Sequence, residues 1–117
     1  MFDSSRFLEI ANRLLGDSSY RDEAAWRTAI GRAYYAAFLA AKKRLEERGC
    51  NFLDVEKIHQ EVIQKLMSRK SDTANKLNTL RKNRVKADYY MDAPIDPKLG
   101  QGCAKLSEMV INELGSV

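Results

Sequence analysis

Arg84 and Asp88 stand one helical turn apart in the run Leu80-Arg81-Lys82-Asn83-Arg84-Val85-Lys86-Ala87-Asp88-Tyr89-Tyr90. The run contains no glycine or proline and reads as helix. Spacing of i,i+4 brings a guanidinium and a carboxylate within reach of each other. Helical phase puts Leu77, Leu80, Arg84, Ala87, Asp88 and Met91 on one stripe. The apolar members mark that stripe as the expected buried face, so the phase draws a charged pair inward. Buried charge is costly unless it is paired and hydrogen-bonded. Arg32 lies on another segment that should be buried and is the second inward cation. Arg32, Arg84 and Asp88 would then form an Arg–Asp–Arg cluster with donors to spare. Arginine keeps its charge and presents a planar fork suited to phosphate. Two readings follow: a phosphate-holding site at the mouth of a helix bundle, or an ion network that fixes helix packing or a dimer seam.

The chain has one histidine, His59, in Lys57-Ile58-His59-Gln60-Glu61. Histidine is the usual acid or base near neutral pH. Two tyrosine pairs, Tyr34-Tyr35 and Tyr89-Tyr90, cannot act as units, because adjacent residues on a helix diverge by about 100°. Tyr34 falls on a core face, where its hydroxyl needs a partner. Tyr35 and Tyr89 point toward a groove or partner, where stacking on RNA bases is one use. Cys50 and Cys103 show no CxxC spacing. With one histidine they fall short of the roughly four ligands of a zinc site. Free thiols are expected, with no metal and no cofactor.

The elements that must position these groups are helices. The first is expected over Ser4–Leu15, with Gly16 as its stop. The longest pattern runs from an Asp22 cap to Arg48 and ends at Gly49. Its middle is apolar nearly all round: Trp26, Ile30, Tyr34, Ala37, Phe38, Ala41 and Leu45 on one face, alanines on the other. Such a helix is surrounded by others, which makes Arg27, Thr28 and Arg32 conspicuous. Asp54 is the expected cap of a third helix, and Ser71 or Asp72 of a fourth that runs to about Tyr90. Asp92-Ala93-Pro94-Ile95-Asp96-Pro97 reads as an extended linker. A fifth helix is expected from about Lys98 to Leu114. No β-alternating run appears. The expected class is all-α, an antiparallel bundle of four to five helices within one domain, 1–117.

The formal net charge of +4 is modest, but its distribution is not even. Arg69, Lys70, Lys76, Arg81, Lys82, Arg84 and Lys86 are opposed within their stretch only by Asp72. A basic stripe on one element is the footprint of a phosphate-backbone binder, or else a solvated face. No apolar run approaches the roughly 20 residues needed to span a bilayer. The start of the chain does not resemble a secretory signal. Cytoplasm is the expected compartment.

Three blocks carry a resemblance. Arg32-Ala33-Tyr34-Tyr35-Ala36-Ala37-Phe38-Leu39-Ala40-Ala41 resembles the RxYYAxFxAA helix of the HEPN superfamily. His59 matches a histidine frequent early in the next helix. Arg84-Val85-Lys86-Ala87-Asp88-Tyr89 is similar to the RxxADY signature of the small single-domain prokaryotic branch. The resemblance implies a helical bundle, usually a homodimer. It implies a metal-independent ribonuclease or an RNA-binding or partner-binding protein. Toxin–antitoxin pairs, with a nucleotidyltransferase-like antitoxin, and phage defence are the settings it suggests. The family's nuclease motif is an Arg, four to six intervening residues, then a His. After Arg84 those places hold Tyr89, Tyr90 and Met91, so the motif is degenerate. Asp88, Tyr89 or His59 would have to supply the missing proton transfer to Arg84's site. Arg32, Arg81, Lys82, Asn83 and Lys86 are the residues expected to contact RNA.

Overall fold

Alanine decides where the longest helix goes. A computed structural model describes residues 1–117. Its five helices are α1 (Ser5–Gly16), α2 (Glu23–Glu47), α3 (Ile58–Arg69), α4 (Ser71–Tyr89) and α5 (Pro97–Glu113), with no strand. Short 3₁₀ turns lie at Ser18–Tyr20, Val55–Lys57 and Leu114–Ser116. Helix α2 packs against all four others. Ala29, Ala33, Ala36, Ala37 and Ala41 are buried on both of its faces, with Ile30, Tyr34, Phe38 and Leu45 between them. Small side chains let neighbours approach closely from several directions. The all-α bundle and its central helix are as the sequence pattern requires.

Local chemistry sets the boundaries. Asp22 Oδ1 accepts from Ala25 N at 2.9 Å and starts α2. Gly49, at φ +93°, ends the helix in the left-handed region that glycine enters without a Cβ penalty. Asp96 Oδ1 accepts from Leu99 N at 2.8 Å, and Pro97 opens α5 one residue ahead of the expected start. Gly100 lets α5 lie close to α1: a Cβ there would lie 2.6 Å from Leu15 Cδ2, and that side chain would have to shift.

Two caps differ from expectation. Asp54 caps the 3₁₀ turn by accepting from Glu56 N, and α3 begins later, at Ile58. Neither Ser71 nor Asp72 caps α4. Only Lys70 separates α3 from α4, and it takes the cap position without a side-chain bond. The junction is too short to hold a separate capping residue. Met91 also leaves the expected stripe, because α4 stops at Tyr89 and Met91 is exposed.

Arg27 explains that stop. Its guanidinium donates to the carbonyls of Lys86, Ala87, Tyr90, Met91 and Ala93, the closest at 2.8 Å (Ala87) and 2.7 Å (Ala93). It also pairs with Glu23 at 3.0 Å. Carbonyls at a helix C-terminus have no intrahelical partner and carry the negative end of the dipole. The end of α5 is treated alike: Arg44 donates to Leu114 O and Gly115 O, and Lys70 to Glu113 O. Lys76 and Thr73 hold the Glu113 carboxylate, both at 2.6 Å.

The Arg27 side chain is 14% exposed, so its loss strands several carbonyls. Arg27→Ala is expected to cost about 2–3 kcal/mol in urea unfolding. Amide exchange should rise locally from Lys86 to Ala93. Stability within about 0.5 kcal/mol of the parent would rule out this role.

Candidate functional site

Half-buried side chains from four helices meet around Tyr35 of α2. The Arg32 guanidinium carbon lies 5.2 Å from the Tyr35 ring centroid, and that of Arg84, from α4, lies 5.3 Å away. The His59 ring, from α3, meets Tyr35 edge-on at 5.9 Å. Arg32 also lies 4.9 Å from the Phe7 ring of α1, and Arg84 lies 5.8 Å from that of Tyr89. An aromatic face attracts a guanidinium without consuming its hydrogen-bond donors.

His59 is held from behind. It stacks on Phe38 at 4.4 Å, and its Nδ1 lies 2.6 Å from the Tyr34 hydroxyl. Tyr34 is 0% exposed. Burial raises the Tyr34 phenol well above its ordinary range, so it keeps its proton. Burial also lowers His59 below its ordinary value, and the positive charges of Arg81 and Arg84 push it in the same direction. Both arginines therefore bear on the one imidazole. Sequence separation concealed this: His59 belongs to α3 and both arginines to α4, and only packing unites them.

The inward Arg–Asp–Arg cluster does not form as expected. Arg84 Nε lies 2.8 Å from Asp88 Oδ2, but its N–H is not aimed at that oxygen, and the buried Nε has no directed hydrogen bond. The Arg84 side chain is 19% exposed and that of Asp88 38%. Asp88 thus sits on the rim, beside Gly31 of α2, where a Cβ would be 3.9 Å from Oδ1. Arg32 makes no ion pair with it. Arg32 precedes Tyr35 by three residues, so helical geometry lays its side chain along that ring instead.

The basic stripe is also divided. Lys70 and Lys76 serve Glu113 and the end of α5. Arg81 and Lys82 line an open groove of about 410 Å³ with Asn78, Val85 and Tyr90. Lys86 is half-buried and makes no ion pair. Asn83 turns toward the Cys103 thiol of α5, away from Arg84's neighbours; burial pushes that thiol up to about 11. Cys50 and Cys103 are both buried and free. Tyr89 is 65% exposed. A cavity of about 640 Å³ between the end of α2 and α3 is lined by Cys50 but by none of Arg32, Tyr35, His59, Arg81 and Arg84. Sequence reasoning missed Phe7 and Phe38 as walls of the site. It marked Tyr34 as a core hydroxyl in want of a partner, without finding His59 as that partner.

The family model of the HEPN domain matches residues 3–117. The chain belongs to the HEPN family. No curated protein matches it in sequence. The three blocks of the HEPN resemblance are the segments that the bundle brings together: Arg32 to Phe38 on α2, His59 on α3, and Arg84 to Tyr89 on α4. No helix of this HEPN protein is long and apolar enough to cross a membrane.

Two outcomes follow from this geometry. Because Asp88 is on the rim, Asp88→Asn should change stability by less than about 1 kcal/mol in thermal unfolding. A larger loss would mean that the pair staples the fold. His59 binds a proton less readily folded than unfolded, so its contribution to stability is complete above about 6.5. That contribution is lost as pH falls below this value toward the lowered folded value. Urea midpoints measured from about pH 7.5 to about pH 5 should show the decline, and His59→Gln should flatten it.

Proposed function

We propose that this HEPN protein binds RNA through its phosphate backbone at the face formed by Arg32, Tyr35, His59, Arg81 and Arg84. One observation carries the reading: two guanidinium groups share a tyrosine ring, a third bears on the adjacent histidine, and one rim carboxylate is the only acid paired among them. The terminal nitrogens of Arg32 and Arg84 have no protein hydrogen-bond partner. Such donors suit non-bridging phosphate oxygens. Lys82 and Lys86 extend the positive field, and exposed Tyr89 offers a ring on which an unpaired base can stack. Asn83 belongs to the α4–α5 contact and is not part of this reading. Family membership makes a toxin–antitoxin or phage-defence setting the natural one. A homodimer and a nucleotidyltransferase-like antitoxin are the partners it suggests.

A second reading, metal-independent cleavage by Arg84 with His59 or Tyr89, gains from the meeting of His59 and Arg84 at Tyr35. A third, an inert dimeric interaction module, loses support because Asp88 is too exposed to act as a buried staple.

RNA binding by this face predicts affinity that falls steeply with salt, by about 0.7 in log K per log salt for each phosphate engaged. Fluorescence anisotropy with mixed-sequence RNA at two salt concentrations measures this. Arg84→Ala should weaken binding about tenfold and lower the slope. Undetectable or salt-insensitive binding rejects the reading. The same RNA incubated in chelator should remain intact. Cleavage that disappears in both Arg84→Ala and His59→Ala would establish the ribonuclease instead.

A further inference from the structure

The bond between Tyr34 and His59 bears on what the imidazole can do. Tyr34 is sealed from solvent, and His59 Nδ1 is the only hydrogen-bond partner of its hydroxyl. The phenol retains its proton, because burial opposes its ionisation. A buried O–H whose one available acceptor is Nδ1 donates there, since an unmet buried donor carries the full desolvation penalty. Nδ1 must then be the bare nitrogen of the ring. Nε2 carries the hydrogen, and it makes no hydrogen bond within the protein.

Both proton-transfer roles of histidine conflict with this arrangement. A base at Nε2 requires the hydrogen to reside on Nδ1, and an imidazolium acid requires hydrogens on both nitrogens. In either case Nδ1–H would donate to the Tyr34 oxygen and leave the phenolic hydrogen without an acceptor. The groups facing the ring reinforce the neutral form: Tyr34, Tyr35 and Phe38 from α2, and the cations Arg81 and Arg84 from α4, with no carboxylate acting on it.

We infer that Tyr34 is a positioning residue that fixes His59 as an Nε2–H hydrogen-bond donor and keeps it out of proton transfer. Its ligand, on the RNA-binding reading above, is an acceptor oxygen of phosphate. His59 thereby acts as one more neutral donor beside charged ones. The inference deepens that reading and also accounts for a HEPN chain that keeps an imidazole near its arginine without using it as an acid or base.

A single histidine makes the test unambiguous. In an imidazole ¹⁵N–¹H correlation spectrum of the labelled full chain, one ring gives all the signals. Nδ1 should be acceptor-type and Nε2 N–H-type, by about tenfold or more over the other tautomer. Tyr34→Phe keeps the shape of the ring and removes the donor. It should give mixed tautomers and move the His59 titration upward toward its ordinary value. An Nδ1–H signal in the parent chain overturns the inference, and this result needs no variant to fold. So does an unchanged spectrum and titration in Tyr34→Phe. Addition of a mixed-sequence single-stranded RNA oligonucleotide separates the two claims. A shift of Nε2–H supports the phosphate contact. A fixed tautomer whose signals do not move leaves the role of Tyr34 standing and removes RNA from this face.

Discussion

In a helix enclosed by four neighbours, a polar side chain has somewhere to go only where two neighbours part. Helix α2 imposes that constraint on the whole molecule. Its alanines bring α1, α3, α4 and α5 close, and close approach leaves few gaps. Arg27 emerges at the end of α4, Arg44 at the end of α5, and Arg32 beside Phe7 and Tyr35. The candidate site occupies one such gap. Its aromatic walls are the edges of the core, and its cations are those that the gaps admit.

The cations of this chain do two kinds of work. Arg27, Arg44 and Lys70 spend their donors on carbonyls at helix ends, where backbone oxygens lack partners and the helix dipole is negative. Arg32 and Arg84 spend few or none, because aromatic faces hold them in place without hydrogen bonds, and Arg81 lines the open groove beside them. Net charge alone cannot distinguish these groups. The difference lies in what each side chain meets, and it leaves the uncommitted donors at one face.

Much of this was legible in the sequence, for identifiable reasons. Gly49, Pro97, Asp22 and the alanine pattern act locally, and each marks its element within a residue or so. Helical phase located Arg84 and Asp88 on one face of α4, and the HEPN blocks named the segments that would converge. What phase could not give was depth. It describes angle around an axis and not distance from solvent, so Asp88 appeared buried where it stands on a rim. Asn83 was grouped with its sequence neighbours, yet one position along a helix turned it toward Cys103. The link between His59 and Tyr34 spans 25 residues. It depends on how α3 lies against α2, and no local signal encodes that.

The Arg27 clamp has a consequence for how the domain tolerates change. Arg27 grips carbonyls on both sides of the break between α4 and the linker, and it sits five residues before Arg32 on the same rigid helix. At a rise of about 1.5 Å per residue, roughly 7.5 Å of helix joins the clamp to the site. The position of Arg84 and Asp88 is thus indexed to α2 itself. The path from Pro94 to Asp96 is tied to the same helix: Ile95 is buried and its N–H donates to Glu23 Oε1, and Asp96 caps α5. Insertions or deletions there would pull on Glu23, the partner of Arg27, and so on the clamp itself, which makes this linker a fixed length of the fold.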